Sequence, residues 1–354
     1  MNAIGGSNPE YVNARVRARR AALFDEDDYR KLIRMSPDEI TRYMEETEYE
    51  AEINALGARH SGVDLIEYAL HRNLAKHFHD LLHWSEGRLH VLIARYLRKY
   101  DAWNLKTVIR GIYTGFPYEQ IQTDLILAGD LDESLFERMA QAESIEEAIA
   151  ILEGTVYHDP LSTAYPDFEA SDILVPLENA IDRQFYGRLL GDRSPEGSFV
   201  REGPMAMYTE FLQAEIDFLN IKNALRLAMD ASDVDPAEYF IEGGRLFSPD
   251  EIRGLVADTD QLLMALRTST YGDALGPLLD DLETADSLIE FERALEGLLL
   301  AYTERLANVY PVSVTSILSY ILAKEREINN IRAIARGKEA GLAVSEIEQE
   351  LVII

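Results

Sequence analysis

The chain contains no cysteine, which excludes disulfide frameworks, thiolate metal sites and thiol catalysis. Long apolar runs are also missing. The densest stretch, Leu295 to Ala301, already carries Glu296 and is followed by Glu304, far short of the roughly 18 to 20 apolar residues that a membrane-spanning helix needs. Direct insertion into a bilayer is therefore not expected. The first residues, Met1 to Asn8, are small and polar and lack the apolar core of a signal peptide, so a cytoplasmic location is expected. Positive charge is scarce. Asp and Glu number 63 against 34 basic residues, seven of which are Lys, leaving a net charge of -29 that repels phosphate backbones and excludes nucleic acid as a natural partner. An acidic surface richer in Arg than in Lys suits a salt-rich cytoplasm, where the Debye length falls to about 3 Å at 1 M salt, and predicts a halophilic source.

Glycine arrays behind strands are absent too, which removes phosphate-loop and dinucleotide-binding readings. No serine sits in a nucleophile elbow, and paired carboxylates such as Glu45-Glu46 are expected by chance in so acidic a chain. Strand-type alternation is not found. With 47% hydrophobic residues the chain can nevertheless fill sizeable cores, and its apolar spacing is helical almost throughout.

An internal repeat organises the chain. An acid, two residues, Asn, one residue, a base, three residues and Arg recur four times at spacings of roughly 90 to 120 residues. The copies are Glu10, Asn13, Arg15 and Arg19; Asp101, Asn104, Lys106 and Arg110; Asp217, Asn220, Lys222 and Arg226; and Glu327, Asn330, Arg332 and Arg336. Behind the motif, Leu23-Phe24-Asp25-Glu26 aligns with Leu246-Phe247-Ser248-Pro249, with a looser copy at Leu131-Asp132-Glu133. Tyr157-His158-Asp159 and Tyr271-Gly272-Asp273 then match further on. At about 100° per residue the acid lies about 60° from the Asn, so both fall on the apolar face and the two bases on the opposite side. A buried carboxylate and amide are costly unless bonded, which predicts a recurring polar link.

Local signals mark element ends. Ser36-Pro37-Asp38-Glu39 and Ser248-Pro249-Asp250-Glu251 read as N-cap, N1 proline and acidic first turn, and Ser144 with Glu147 as a capping box. Gly129 and the pair Gly243-Gly244 read as helix C-terminal caps. Residues Gly154 to Pro176 and Gly191 to Pro204, rich in Gly, Pro, Ser and Asp, read as surface loops. Five histidines, His71, His77, His79, His83 and His90, cluster in the sequence, and His79 with His83 at i,i+4 could share a metal with Asp80 or Glu86. Leucines stand where a zincin helix continues, however, so solvent-facing or core imidazoles are the default, and no metal site, cofactor or catalytic residue is assigned. The basic run Arg15, Arg17, Arg19 and Arg20 reads either as a contact for an acidic partner or as an exposed face paired to nearby acids.

Taken in order, Tyr11-Val12-Asn13-Ala14-Arg15, Asp101-Ala102-Trp103-Asn104, Glu215-Ile216-Asp217-Phe218-Leu219-Asn220 and Glu327-Ile328-Asn329-Asn330 resemble the C subunit of archaeal A-type ATP synthases, the counterpart of the d subunit of V-type ATPases. The resemblance spans nearly the whole chain. It implies an all-α, three-lobed, funnel-shaped body with pseudo-threefold symmetry. The lobes would be residues 1–100, 101–216 and 217–326, with 327–354 closing the first. It further implies a non-catalytic coupler at the cytoplasmic face of the membrane, seated between a rotor ring of proteolipid subunits and the central stalk. A helical-repeat adaptor of another kind and a metal-dependent helical enzyme using the His71 to His90 cluster are the alternatives.

Overall fold

A computed structural model describes residues 7–191, 204–230, 235–282 and 288–352. These form helices and connecting turns, and no strand occurs among the described residues. The described residues fall into two compact units, one over Met1–Phe185 and Tyr320–Leu351, the other over Tyr186–Ser319 and Val352–Ile354.

The first unit opens with α1 (Pro9–Arg20), α2 (Glu26–Leu32), α3 (Pro37–Met44), α4 (Glu50–Leu56), the long α5 (Gly62–Trp84) and α6 (Gly87–Leu97). It continues through α7 (Lys99–Thr114), α8 (Tyr118–Ile121), α9 (Glu133–Ala140), α10 (Ile145–Ile151), α11 (His158–Ser171) and most of α12 (Val175–Gly191). The second unit holds α13 (Pro204–Asp230), α14 (Pro249–Val256), α15 (Thr259–Arg267), α16 (Gly272–Leu282) and α17 (Leu288–Val309). Helix α18 (Val314–Glu339) starts there and runs into the first unit, where α19 (Val344–Gln349) follows.

Short helices this close together need explicit ends, because each terminus leaves backbone groups without intrahelical partners. Asp25, Ser36 and Ser248 form reciprocal capping boxes with Asp28, Glu39 and Glu251, and Pro37 and Pro249 occupy first-turn positions as their sequences predict. Asp132 and Asp258 cap α9 and α15. Ser144 caps Glu147, but the Glu147 carboxylate accepts from the Glu143 N–H at 2.8 Å, one residue upstream of a reciprocal box.

Each unit has its own core. In the second, Phe218, Ile221 and Leu225 of α13 meet Ile252, Leu262, Leu266, Leu275 and Leu295. In the first, Phe78 of α5 packs on Tyr100 of α7 with ring centroids 5.1 Å apart.

The structure corrects one loop expectation. Most of Gly154 to Pro176 is helical, since α11 covers His158–Ser171. Pro160 falls in its first turn, where no N–H is needed, and the ring of Pro166 is exposed while Leu161 and Phe168 bury their side chains. Burial of these two anchors outweighs a loop-like composition. Nearly all of the other predicted loop, Gly191 to Pro204, lies outside the described residues.

Candidate functional site

The repeated motif builds a recurring clamp between a helix and the loop that precedes the next short helix. On α7, the buried Asp101 accepts hydrogen bonds from the Asp130 N–H at 3.0 Å and the Leu131 N–H at 2.9 Å. On α13, Asp217 accepts from the Arg245 and Leu246 N–H groups at 2.7 and 3.0 Å and from the Tyr271 hydroxyl at 3.0 Å. On α18, Glu327 accepts from the Phe24 N–H at 2.5 Å and from the Tyr49 hydroxyl at 2.6 Å. Burial pushes the Asp101 carboxyl up to about 6 and raises Asp217 as well, while the backbone donors pull both the other way. Hydrogen bonds to a charged group contribute about 1.5–3 kcal/mol each, and here they offset part of the desolvation cost while tying loop to helix.

The asparagines extend the clamp. The Asn104 side chain donates to the Ile126 carbonyl and accepts from the Ile126 N–H, both at 2.8 Å. Asn220 does the same with Ile241, at 2.8 and 2.9 Å. An amide that pairs with both groups of one residue acts as a short piece of strand partner, satisfying backbone that the neighbouring helices cannot. Asn330 is buried beside the Tyr29 hydroxyl, whose ionisation burial drives upward.

The first copy of the motif departs from the inward-facing expectation for its acid. Glu10 is exposed, and Asn13, although buried, donates to the Pro9 carbonyl of its own helix at 2.9 Å. The physical reason is a partner already taken. The loop at Leu23–Phe24, which follows α1 in sequence, is bound by Glu327 from α18, so no backbone donor is left there for Glu10 to cap.

The glycines are also corrected. Gly129 and Gly244 are not helix caps. A Cβ on Gly129 would lie 2.0 Å from Asp101 Oδ1, and one on Gly244 would lie 2.2 Å from Asp217 Oδ1. Each glycine is the gap through which the carboxylate reaches the backbone. Gly243 does adopt a left-handed φ of 113°, with Leu190 filling the space a side chain would need. In the loop before α2 the position aligned with Gly129 and Gly244 is Ala21, and there the acid is Glu327 rather than Asp.

The bases of the motif lock each motif helix to a long neighbour. Lys106 pairs with Asp182 at 2.7 Å and Arg110 forks onto Glu178 of α12 at 2.6 and 2.9 Å. Arg226 forks onto Glu292 of α17. Arg332 and Arg336 converge on Glu67 of α5, with Nε distances of 3.0 and 2.8 Å, and that carboxylate is fully enclosed. Bidentate geometry restrains the relative rotation of two helices more than a point charge does.

One network leaves little trace in the sequence. The Lys324 ammonium is 0% exposed and donates to the Tyr49 hydroxyl at 2.8 Å, to Glu327 at 2.7 Å and to Glu48. His77 stands beside it, 2.6 Å from the Tyr320 hydroxyl. Burial together with the Lys324 and Arg19 cations holds the His77 imidazole down at about 2, so it is neutral. A faint signal for Tyr49 exists. The Tyr49, Tyr157 and Tyr271 N–H groups each donate to a hydroxyl two residues earlier, on Thr47, Thr155 and Ser269, at 3.4, 3.3 and 3.2 Å.

The remaining histidines are spread apart. His71 is buried against the Thr123 carbonyl at 2.7 Å, His90 lies 3.0 Å from the Leu82 carbonyl, and His79 and His83 are exposed on α5. Among the described residues no three His, Asp or Glu side chains converge as metal ligands. Of the basic run, Arg19 pairs with Asp80 at 2.5 Å and stacks on Trp84, while Arg15 is exposed. No helix among the described residues is long and apolar enough to cross a membrane.

Comparison with known proteins gives this arrangement a context. Residues 12–350 match the model of the ATP synthase (C/AC39) subunit family. The A-type ATP synthase C subunit of Haloferax volcanii is 58% identical over 354 residues, covering 100% of both chains. The corresponding protein of Halorubrum lacusprofundi is 57% identical over 353 residues, again covering 100% of each. That of Methanosarcina acetivorans is 34% identical over 353 residues, covering 99% of this chain and 94% of the relative.

Proposed function

The chain belongs to the ATP synthase (C/AC39) subunit family, and on that premise we propose that it is the non-catalytic coupler between a membrane rotor ring and the central stalk of an A-type ATP synthase. In this role it carries torque between ion-driven ring rotation and the catalytic head. It sits peripherally on the cytoplasmic face of the membrane, its partners being the proteolipid ring and the proteins of the stalk.

The observation that carries the reading is the threefold clamp. Asp101, Asp217 and Glu327 each bind the loop ahead of the next short helix, and the last of them, from the far end of the chain, serves the first loop. That pattern supports a closed, pseudo-threefold, funnel-shaped body. Its lobes are residues 1–100, completed by 327–354, then 101–216 and 217–326. A coupler must resist twist, and every motif helix from α7 onward is tied to a loop by buried acceptors and to a long helix by forked ion pairs. Closely packed interiors resist compression, which suits a part that transmits force without chemistry. The acidic surface fits the same setting in concentrated salt.

Detergent extraction of native membranes followed by affinity capture of the full chain tests the proposal. Recovery of the chain with a proteolipid ring and stalk proteins supports it. Recovery of the chain alone, from membranes whose synthase is otherwise intact, overturns it.

A further inference from the structure

Helix α1 is strongly basic for so acidic a chain, carrying Arg15, Arg17, Arg19 and Arg20 against the single acid Glu10. Its arginines do not share one fate. Arg19 is partly buried, pairs with Asp80 and stacks on Trp84 with 4.4 Å to the ring centroid. Arg15 is exposed and lies 4.8 Å from the Tyr11 centroid and 4.7 Å from the Trp84 centroid. Among the described residues it makes no ion pair, in a chain where Arg98, Arg110, Arg226, Arg253 and Arg336 all hold carboxylates. The acids on the adjoining segments do not quench it. Asp80 is held by Arg19, while Glu10 and Glu86 are exposed and unbonded to Arg15.

The site is built rather than incidental. Asn8 donates to the Trp84 carbonyl at 2.8 Å and accepts from the Glu86 N–H at 2.9 Å, pinning the start of α1 to the end of α5. Two rings lie against the guanidinium, which is exposed on the surface of α1. Tyr11 itself stays 48% exposed, which widens the same surface. A pre-set guanidinium loses less entropy on binding than a free one, and planar carboxylates match its fork.

From this geometry we infer that Tyr11, Arg15 and Trp84 form a docking surface for a carboxylate-bearing segment of a partner protein. Charge complementarity selects the partner. A body with a net charge of -29 repels other acidic proteins everywhere except where cations gather, and α1 is such a place. In concentrated salt the long-range attraction of a lipid surface is screened, whereas stacking and forked hydrogen bonds act at contact and survive. The inference stands apart from the rotor assignment, because any complex that presents an acidic segment here satisfies it.

The absence of native cysteine makes the test clean. Ala14 is exposed on α1 beside Arg15, so Ala14→Cys in the full-length chain gives a unique attachment point for a benzophenone cross-linker in native membranes. The expected product is a cross-link to a protein segment that carries two or more Asp or Glu residues at the mapped position. Arg15→Gln lowers its yield by about tenfold, the loss of roughly one charged hydrogen bond. Arg15→Lys also lowers it, since an ammonium keeps the charge but not the fork. Arg30→Gln, on the exposed face of α2, leaves it unchanged. Matching unfolding midpoints for the Arg15 variants and the parent show that the fold is kept. A cross-link found only on lipid overturns the inference. So does one on a segment without carboxylates, a yield unaffected by Arg15→Gln, or full retention by Arg15→Lys.

Discussion

Glu10 and Glu327 occupy the same position in two copies of one motif, yet the structure demands opposite responses to their removal. Glu327→Ala deletes an enclosed carboxylate that accepts from the Phe24 N–H, the Tyr49 hydroxyl and the Lys324 ammonium. The ammonium keeps Glu48 and Tyr49, but the backbone donor and the hydroxyl lose their acceptor in a site closed to water. Breaking a buried ion pair from one side costs about 3–5 kcal/mol, and that is the predicted loss for the unit holding residues 1–185 and 320–351. Glu10→Ala removes an exposed side chain and should stay within about 0.5 kcal/mol of the parent. The assay is urea unfolding followed by tryptophan fluorescence, since both tryptophans, Trp84 and Trp103, lie in that unit and report on it alone. A cost below about 1 kcal/mol for Glu327→Ala, or equal costs at the two positions, refutes the closure of the first loop by α18.

Other perturbations separate the remaining parts. Gly129→Ala places a Cβ against the Asp101 carboxylate and should cost about 1–3 kcal/mol in the same assay, whereas Gly254→Ala, in a helix with open space around it, should be neutral or stabilising by up to about 1 kcal/mol. Asn104→Leu takes the acceptor from the buried Ile126 N–H, while the Ile126 carbonyl keeps the Ala128 N–H, and should cost about 1–3 kcal/mol, read by urea midpoint at constant slope. The pH dependence carries two opposite signs. Asp101, raised to about 6, contributes stability that is present below the unfolded carboxyl value of 3.8 and lost as pH rises through 6. Measured against Asp101→Asn, the parent should therefore weaken by about 2 kcal/mol between pH 4 and pH 7. His77, held at about 2, contributes stability that is present above its ordinary value of 6.5 and lost as pH falls below it, with a slope of about 1.4 kcal/mol per pH unit that His77→Gln should remove.

Helix starts were legible because their signals are local: Ser36 and Ser248 with their prolines and glutamates state a capping box within four residues. The repeat was legible because one spacing recurs, and it marked Asp101, Asn104, Asp217 and Asn220 as buried groups that need partners. Which partners they find is a property of chain crossing, and no local pattern encodes it. Glu10 looked like its fellows but had lost its loop to α18, a competition between segments about three hundred residues apart. Gly129 and Gly244 carried a generic glycine signal, and only the approaching carboxylates reveal what the missing Cβ is for. Lys324 lies three residues before Glu327 in what reads as an ordinary helical ion pair, and its enclosure by Tyr49 and Glu48 comes from the distant N-terminal segment. Helix α11 was hidden by composition, since two buried anchors, Leu161 and Phe168, suffice to fold a stretch otherwise written like a loop.

Coupling itself is most directly tested by removing the chain from reconstituted synthase vesicles and following ATP hydrolysis and ATP-driven ion transport side by side. Hydrolysis by the catalytic head should persist, transport should be lost, and the purified full-length chain should restore it. Transport that continues without the chain would contradict a coupling role, and loss of hydrolysis from the isolated head would contradict a non-catalytic one.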